Sequence, residues 1–371
     1  MDYLGSEIAK LGFGLMRLPM LEEEVDVAKL QKMVDDFMAA GFTYFDTAYV
    51  YTGGKSEEVV SDVLSSKYPR DAYQLATKLP IWEAKKKEDM QVILNKQLER
   101  CGVEYFDYYL IHAIGEDRIK VLDEYDGWQF MIDQKIKGTA KHIGFSFHDT
   151  ADVLDKILTD HPEMEFVQLQ INYVDWESDD IQSRLCYEVA KKHNKPVIIM
   201  EPVKGGNLAI MPPDVQKIFK TADPDGSVAS WALRYAGSFD NIITVLSGMS
   251  NDEQMHDNID TFKDFEAIDE SDKKVIAAVV EKLAEQPTIP CTDCKYCVDD
   301  CPMNIAIPGV FEVSNDYKIY GNLDSTKGSY GWATSKGGKA SACIECGVCE
   351  TLCPQHIKII DELAQAAELF E

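Results

Sequence analysis

From Leu11 to about Phe262 the chain alternates short apolar runs with amphipathic stretches, and this alternation limits its fold more than any other feature. Runs at 11–15, 42–45, 73–77, 106–111, 142–145, 166–171, 196–200 and 242–246 have the branched and aromatic content of buried strands. Helical periodicity covers 27–40, which stops at Gly41, then 56–67, 89–100, about 118–135, 150–159, 179–193, 227–236 and 252–262. A long loop precedes the helix at 227–236. The count is eight βα units, the number that closes a parallel (β/α)8 barrel, or TIM barrel. An open doubly wound sheet is the competing architecture. Such a sheet usually shows G-x-G-x-x-G after its first strand, and Gly12-Phe13-Gly14 lacks both the third glycine and a helix directly after it.

A barrel of this kind places its chemistry at the C-terminal ends of the strands. Asp46, Lys78, His112, Ser146, Gln170, Asn172 and Glu201 stand there. Any one of them reads as a strand cap or a satisfied core residue. Ionisable groups following one strand core after another favour a reaction centre.

Beyond the barrel one cysteine pattern occurs twice: Cys291, Cys294, Cys297 and Cys301-Pro302, then Cys343, Cys346, Cys349 and Cys353-Pro354. Both copies read C-x2-C-x2-C-x3-C-P, the run that holds [4Fe–4S] clusters in bacterial ferredoxins. Eight of the ten cysteines belong to them. Zinc ribbons use paired C-x2-C knuckles, and disulfides need an oxidising compartment, for which Met1-Asp2-Tyr3-Leu4 shows no signal peptide. In two-cluster ferredoxins the fourth cysteine of each run serves the other cube. Carried onto this chain, one cluster takes Cys291, Cys294, Cys297 and Cys353, and the other takes Cys343, Cys346, Cys349 and Cys301. The long spacer between the runs resembles that of the all-helical two-cluster ferredoxin domain in the iron–sulfur subunit of succinate dehydrogenase. A helix is expected at 308–320, with 325–339 as surface loop. The remaining Cys101 and Cys186 fall in helical patterns and read as buried structural thiols.

The 371 residues suffice for a large domain and a small one: a barrel over 1–265, a helical linker over 266–286, and a small, mainly helical, two-cluster ferredoxin-like domain over 287–371. A formal charge of −27 argues against nucleic acid as a partner, and no apolar run is long enough to span a membrane. Lys85-Lys86-Lys87, the one notable basic run, reads as a solvated loop or helix start. Cysteines committed to clusters place the protein in a reducing cytoplasm.

The barrel segments resemble those of the aldo-keto reductases. Asp46 to Tyr51, Ala76-Thr77-Lys78 and Leu110-Ile111-His112 are similar to the segments that carry that family's catalytic tetrad. The resemblance spans roughly the first 265 residues, and with the tail the chain looks like the iron–sulfur branch of the superfamily. It implies a carbonyl reduction (or the reverse alcohol oxidation) with NADPH or NADH. Tyr51 is then the proton donor, with its pKa lowered by Lys78, while Asp46 orients Lys78 and His112 aligns the carbonyl. Tyr49 has the wrong spacing from Asp46 for that role. The resemblance also implies cofactor contacts from Gly14 and Met16 in the opening loop, Ser146, Gln170, and Gly248, Ser250, Gln254 and Asn258 near the last helix. Phe147 stands where many members have asparagine. Met200 or Glu201 takes the place of the tyrosine that stacks on the nicotinamide, with Lys204 nearby. Gln254 stands where an arginine often marks preference for a 2′-phosphate.

Hydride transfer moves two electrons and a cubane passes one. Flavin is the common bridge, and the sequence shows no flavin motif. The leading reading is an NAD(P)H-dependent oxidoreductase of a small carbonyl or alcohol, whose clusters exchange electrons with a ferredoxin-like partner or sense redox state. Clusters feeding a flavin or another substrate, purely structural clusters, and a nucleotide-binding regulatory subunit with little turnover are the alternatives. Substrate choice falls to the loops at 81–88, 113–118 and 174–180, with Trp82, Tyr173 and Trp176 as candidate walls. Trp128 and Trp231 read as core.

Overall fold

The computed structural model describes residues 3–371, Asp299 without its side chain. The eight expected strands are β1 (Leu11–Gly14), β2 (Tyr44–Asp46), β3 (Gln74–Leu79), β4 (Phe106–Ile114), β5 (Ala140–Phe147), β6 (Phe166–Gln170), β7 (Val197–Met200) and β8 (Ile242–Ser247). Each pairs in parallel with the next, and β8 closes on β1 through Leu11↔Val245. A closed parallel barrel has no free edge, so every strand hydrogen-bonds on both sides.

Side chains alternate along a strand, so residues two apart share a face. Tyr44, Ala76, Tyr108, Leu110, Phe166, Ile198, Ile243 and Leu246 meet inside the barrel as one apolar plug. Asp46, Lys78 and His112 lie two residues beyond Tyr44, Ala76 and Leu110, which carries them to the top of the same inward face. Gly144 is required in β5: a Cβ there would lie 2.4 Å from the Phe166 carbonyl oxygen and 2.8 Å from its ring. A larger core of Leu, Ile, Val and Phe fills the space between strands and helices.

The helices α1 (Val27–Ala39), α2 (Lys55–Val60), α3 (Asp89–Cys101), α4 (Glu116–Glu124), α5 (Gly127–Lys137), α6 (Ala151–Asp160), α7 (Ser183–Lys192), α8 (Pro213–Ala222), α9 (Val228–Gly237) and α10 (Asp252–Lys263) follow. Asp26 caps α1 by accepting from Lys29 N, and Leu30, Met33, Val34 and Phe37 form its buried stripe. The single helix expected at about 118–135 is two, because Asp126 takes a left-handed φ of 52° between α4 and α5. The expected long loop after β7 contains α8. Trp128 and Trp231 are core, and Cys101 and Cys186 are buried.

The chain forms two compact units: residues up to Pro202 with Ser230–Ile268, and Val203–Ala229 with Asp269–Glu371. In the second, α11 (Glu270–Ala284) begins with a capping box between Asp269 and Asp272. It is followed by α12 (Tyr296–Asp299), α13 (Ile307–Tyr320), α14 (Leu323–Ala333), α15 (Val348–Leu352) and α16 (Ile359–Phe370). The surface loop expected at 325–339 is overturned in its first half, which is α14. Asn322 caps that helix, Thr326 and Tyr330 are buried in it, and the Tyr330 hydroxyl accepts from Ala340 N. Among the described residues no helix is long and apolar enough to cross a membrane.

Candidate active site and iron–sulfur centres

Three strand ends and one turn converge at the top of the barrel. Lys78 Nζ donates to Asp46 Oδ1 at 2.5 Å, to the Thr47 carbonyl at 2.9 Å and to the Tyr51 hydroxyl at 3.4 Å. Tyr51 opens a tight turn completed by Gly53 and Gly54 at φ 64° and 94°, values that glycine adopts without a steric penalty. The His112 ring lies 5.9 Å from the Tyr51 ring, edge to face. Tyr49 packs instead beneath the Arg100 guanidinium at 4.5 Å.

The electrostatics follow from burial. Burial acts to lower the Lys78 pKa, but the charge of Asp46 prevails and holds it above the ordinary lysine value, so Lys78 is a cation. Burial also raises Tyr51 above its ordinary value of 10. Lys78 pulls the other way without overcoming it, and Asp46 and Glu201 reinforce the rise. The expected lowering of Tyr51 by Lys78 is therefore outweighed by desolvation, and the phenol keeps its proton. Burial and then the Lys78 charge push His112 well below 6.5, so its imidazole is neutral. Its Nδ1 is buried with no hydrogen-bond partner among the described residues.

The candidate cofactor residues divide. Ser146 Oγ accepts from Ala113 N at 2.7 Å, which leaves its own proton to donate. Gln170 Nε2 donates to Asp175 Oδ2, which also takes a bond from Asn172 Nδ2, and Asn172 Nδ2 reaches the Glu201 carbonyl. Glu201 itself has a left-handed φ of 55°, and its carboxylate lies 3.9 Å from Arg17 Nη1; Met200 beside it is half-buried. Gly14 lets β1 approach the start of the β8 loop, where a Cβ would lie 3.4 Å from the Ser247 carbonyl oxygen. Gly248 lies against Arg17, and Met16 is exposed. Ser250 N donates to Gln254 Oε1, and Ser250 Oγ to the Arg17 carbonyl. Asn258 is buried and donates to Ser247 Oγ, so it supports that loop from behind.

Two features escaped the sequence. Arg17 stands beside Ser250 although 233 residues separate them, its backbone carbonyl accepting from Ser250 Oγ while its guanidinium lies 3.9 Å from the Glu201 carboxylate. Behind the strands, fully buried Glu57 accepts from Thr77 Oγ1, Gln97 Nε2 and Arg100 Nη1. Gln97 Nε2 also donates to the Lys78 carbonyl. This polar lattice fixes the strand that carries Lys78. Of the candidate walls, Trp82 is exposed with its ring 5.1 Å from His112. Tyr173 is buried in the core against Tyr235, and Trp176, partly buried, packs against the core on Phe239 and Tyr235.

A dinucleotide needs cationic or N–H donors at its phosphates and an amide clamp at its nicotinamide. Arg17 beside the start of α10, with the Ser146 hydroxyl and the Gln170 side chain, fits that demand. Asp252 and Glu253 in the first turn of α10 oppose an anion, although Lys32 pairs with Asp252 at 2.8 Å.

In the second unit the eight cysteines ring two separate cavities. Cys291, Cys294, Cys297 and Cys353 line one with Ile307, Phe311 and Ile359. Cys301, Cys343, Cys346 and Cys349 line the other with Ile305, Ile344 and Leu363. Each cavity takes three thiols from one run and the last from the other. Among the described residues no group of three or more His, Cys, Asp or Glu is set to hold a metal ion. Four thiols around a hollow fit the corners of a cubane better than a tetrahedral ion with about 2.3 Å bonds to sulfur.

Residues 10–281 match the model of the aldo/keto reductase family, and residues 290–357 match that of a 4Fe-4S dicluster domain. An aldo-keto reductase from Mycobacterium sp. (strain MCS) is 28% identical over 267 residues, covering 72% of this chain and 85% of the relative. One from Mycolicibacterium smegmatis is 27% identical over 240 residues, 64% of this chain and 78% of the relative. Among solved structures, an aldo-keto reductase from Klebsiella pneumoniae in complex with NADPH superposes with a TM-score of 0.60 at 19% identity, covering 74% of this chain and 91% of that one. The holo form of one from Bacillus halodurans does so at 0.60 and 21%, covering 73% and 92%. The chain therefore belongs to the aldo/keto reductase family of oxidoreductases, with a C-terminal 4Fe-4S dicluster domain following its barrel.

Proposed function

We propose that the barrel interconverts a small aldehyde or ketone and its alcohol with NADPH or NADH. The observation that carries this reading is the convergence of protonated Tyr51, cationic Lys78, buried Asp46 and neutral His112 on one point. A bound nicotinamide would supply the hydride that reaches the carbonyl carbon. Negative charge then develops on the carbonyl oxygen, and Tyr51 Oη gives it a proton. The phenolate left behind is stabilised by Lys78, which Asp46 and the Thr47 carbonyl hold in place. His112, uncharged, donates a hydrogen bond to the same oxygen and orients the substrate. Ser146 and Gln170 clamp the nicotinamide amide, and Arg17 neutralises phosphate. The Klebsiella pneumoniae aldo-keto reductase of the same fold is in complex with NADPH, which supports a nicotinamide dinucleotide as the cofactor in this reading.

The second unit, in the same reading, holds two [4Fe–4S] clusters in the two cysteine-ringed cavities. Cys294 and Cys346 are exposed, which leaves a short path from each cluster to a ferredoxin-like partner. Anaerobic, iron-loaded protein mixed with NADPH or NADH and short aldehydes tests the barrel chemistry. Aldehyde-dependent oxidation of the nicotinamide is expected. Its absence with both cofactors over a broad panel of aldehydes and ketones would overturn the reading.

A further inference from the structure

The rim of the barrel beside His112 carries a cation that, among the described residues, no carboxylate approaches within hydrogen-bond length. Arg118, in the first turn of α4, stacks its guanidinium on the Trp82 ring at 4.6 Å, and the Trp82 ring lies 5.1 Å from that of His112. Its Nη1 donates to the Ala113 carbonyl, on the residue that follows His112. Ala113 has a left-handed φ of 52°, a strained backbone for a residue with a side chain. It is held there from both sides, by Arg118 at its carbonyl and by Ser146 Oγ at its N–H. The nearest carboxylate, Asp117, lies 3.9 Å from Arg118 Nε, beyond hydrogen-bond length, and its side chain is 78% exposed. The Arg118 side chain remains about one-third exposed beside Trp82 and His112. In a chain of net charge −27, a guanidinium fixed by backbone and aromatic contacts and left open is unusual.

We propose that Arg118 recognises an anionic group, a carboxylate, on the substrate, so that the barrel takes carbonyl compounds bearing a carboxylate a short chain away from the reacting carbon. Planar guanidinium donors match a carboxylate. Trp82 fixes the guanidinium plane and offers an apolar floor to the intervening carbons. Burial lowers the His148 pKa, and the Arg118 charge adds to that; at His112 it is the smallest contribution, after burial, Lys78 and His148.

This inference rests on the carbonyl reading and deepens it. The test compares 5-oxopentanoate with pentanal in the iron-loaded protein. A charge-assisted pair should favour 5-oxopentanoate in kcat/KM by about 10-fold to about 100-fold, chiefly through KM. Arg118→Met keeps an aliphatic stem on Trp82 and should collapse that ratio to within about threefold, while Arg118→Lys should retain part of it. Glutarate, titrated against tryptophan fluorescence, should bind the native protein at least about 10-fold more tightly than Arg118→Met. No preference in the native protein, or a preference that survives in Arg118→Met, overturns the proposal. If neither aldehyde turns over, the carbonyl reading falls, and the glutarate titration alone decides the anion site: equal binding by both proteins would sink it.

Discussion

Lys78 and Asp46 form a 2.5 Å ion pair whose side chains are 1% and 3% exposed, so two opposite charges are sealed together at the end of the barrel's inner core. Removing either partner strands the other in a low-dielectric site. Asp46→Ala should lower stability by about 3–5 kcal/mol, read as a reduced denaturation midpoint with an unchanged slope. An Asp46→Ala barrel as stable as the native one would mean that the pair is hydrated in solution.

The pH profile of carbonyl reduction should be unusually broad. The reaction needs Tyr51 protonated and His112 neutral. Burial raises Tyr51 above 10, so the loss on the alkaline side begins only there. Burial and Lys78 lower His112 below 6.5, so as pH falls the histidine stays neutral past its ordinary titration range. Steady-state rates under saturating substrate should be flat across neutral pH. A limb centred near 6.5 that vanishes in His112→Gln would place His112 in water.

Glu57 is completely buried behind Lys78 and receives three hydrogen bonds. Glu57→Ala should cost about 3–5 kcal/mol, because Arg100 loses its buried counter-ion. Glu57→Gln keeps the shape and should cost less. Chemical denaturation of the two variants checks the order.

Crossed ligation makes a distinctive prediction for iron content. Native protein should hold about eight iron atoms and Cys353→Ser about four. Adding Cys297→Ser to Cys353→Ser should remove nothing further, because both thiols line one cavity. Adding Cys349→Ser instead should empty both sites. Anaerobic iron analysis after reconstitution separates these patterns, and the reverse result would return each fourth cysteine to its own run.

The barrel was legible because its signals are local. Eight apolar runs and the helices between them can be read a few residues at a time, and residues two beyond an inward-facing Tyr44, Ala76 or Leu110 must reach the top. The pairing of cysteines across runs follows from a motif with fixed spacing. What stayed hidden was set by distance or competition. Arg17 meets Ser250 only when β1 closes on β8. The α14 segment is rich in Ser and Gly and reads as loop, yet burial of Tyr330 and its bonds to Glu371 and Ala340 make it helix. The sign of the Tyr51 shift depends on how fully the site is desolvated, which no neighbouring residue in the sequence reports.

The most direct test of the account is the turnover of Tyr51→Phe in protein with its full iron content. If Tyr51 is the proton donor, removing one hydroxyl should lower kcat for aldehyde reduction by about 10²–10⁴-fold while nicotinamide binding and iron content stay at native levels. Native turnover in Tyr51→Phe would contradict the assignment of the barrel's chemistry to this site.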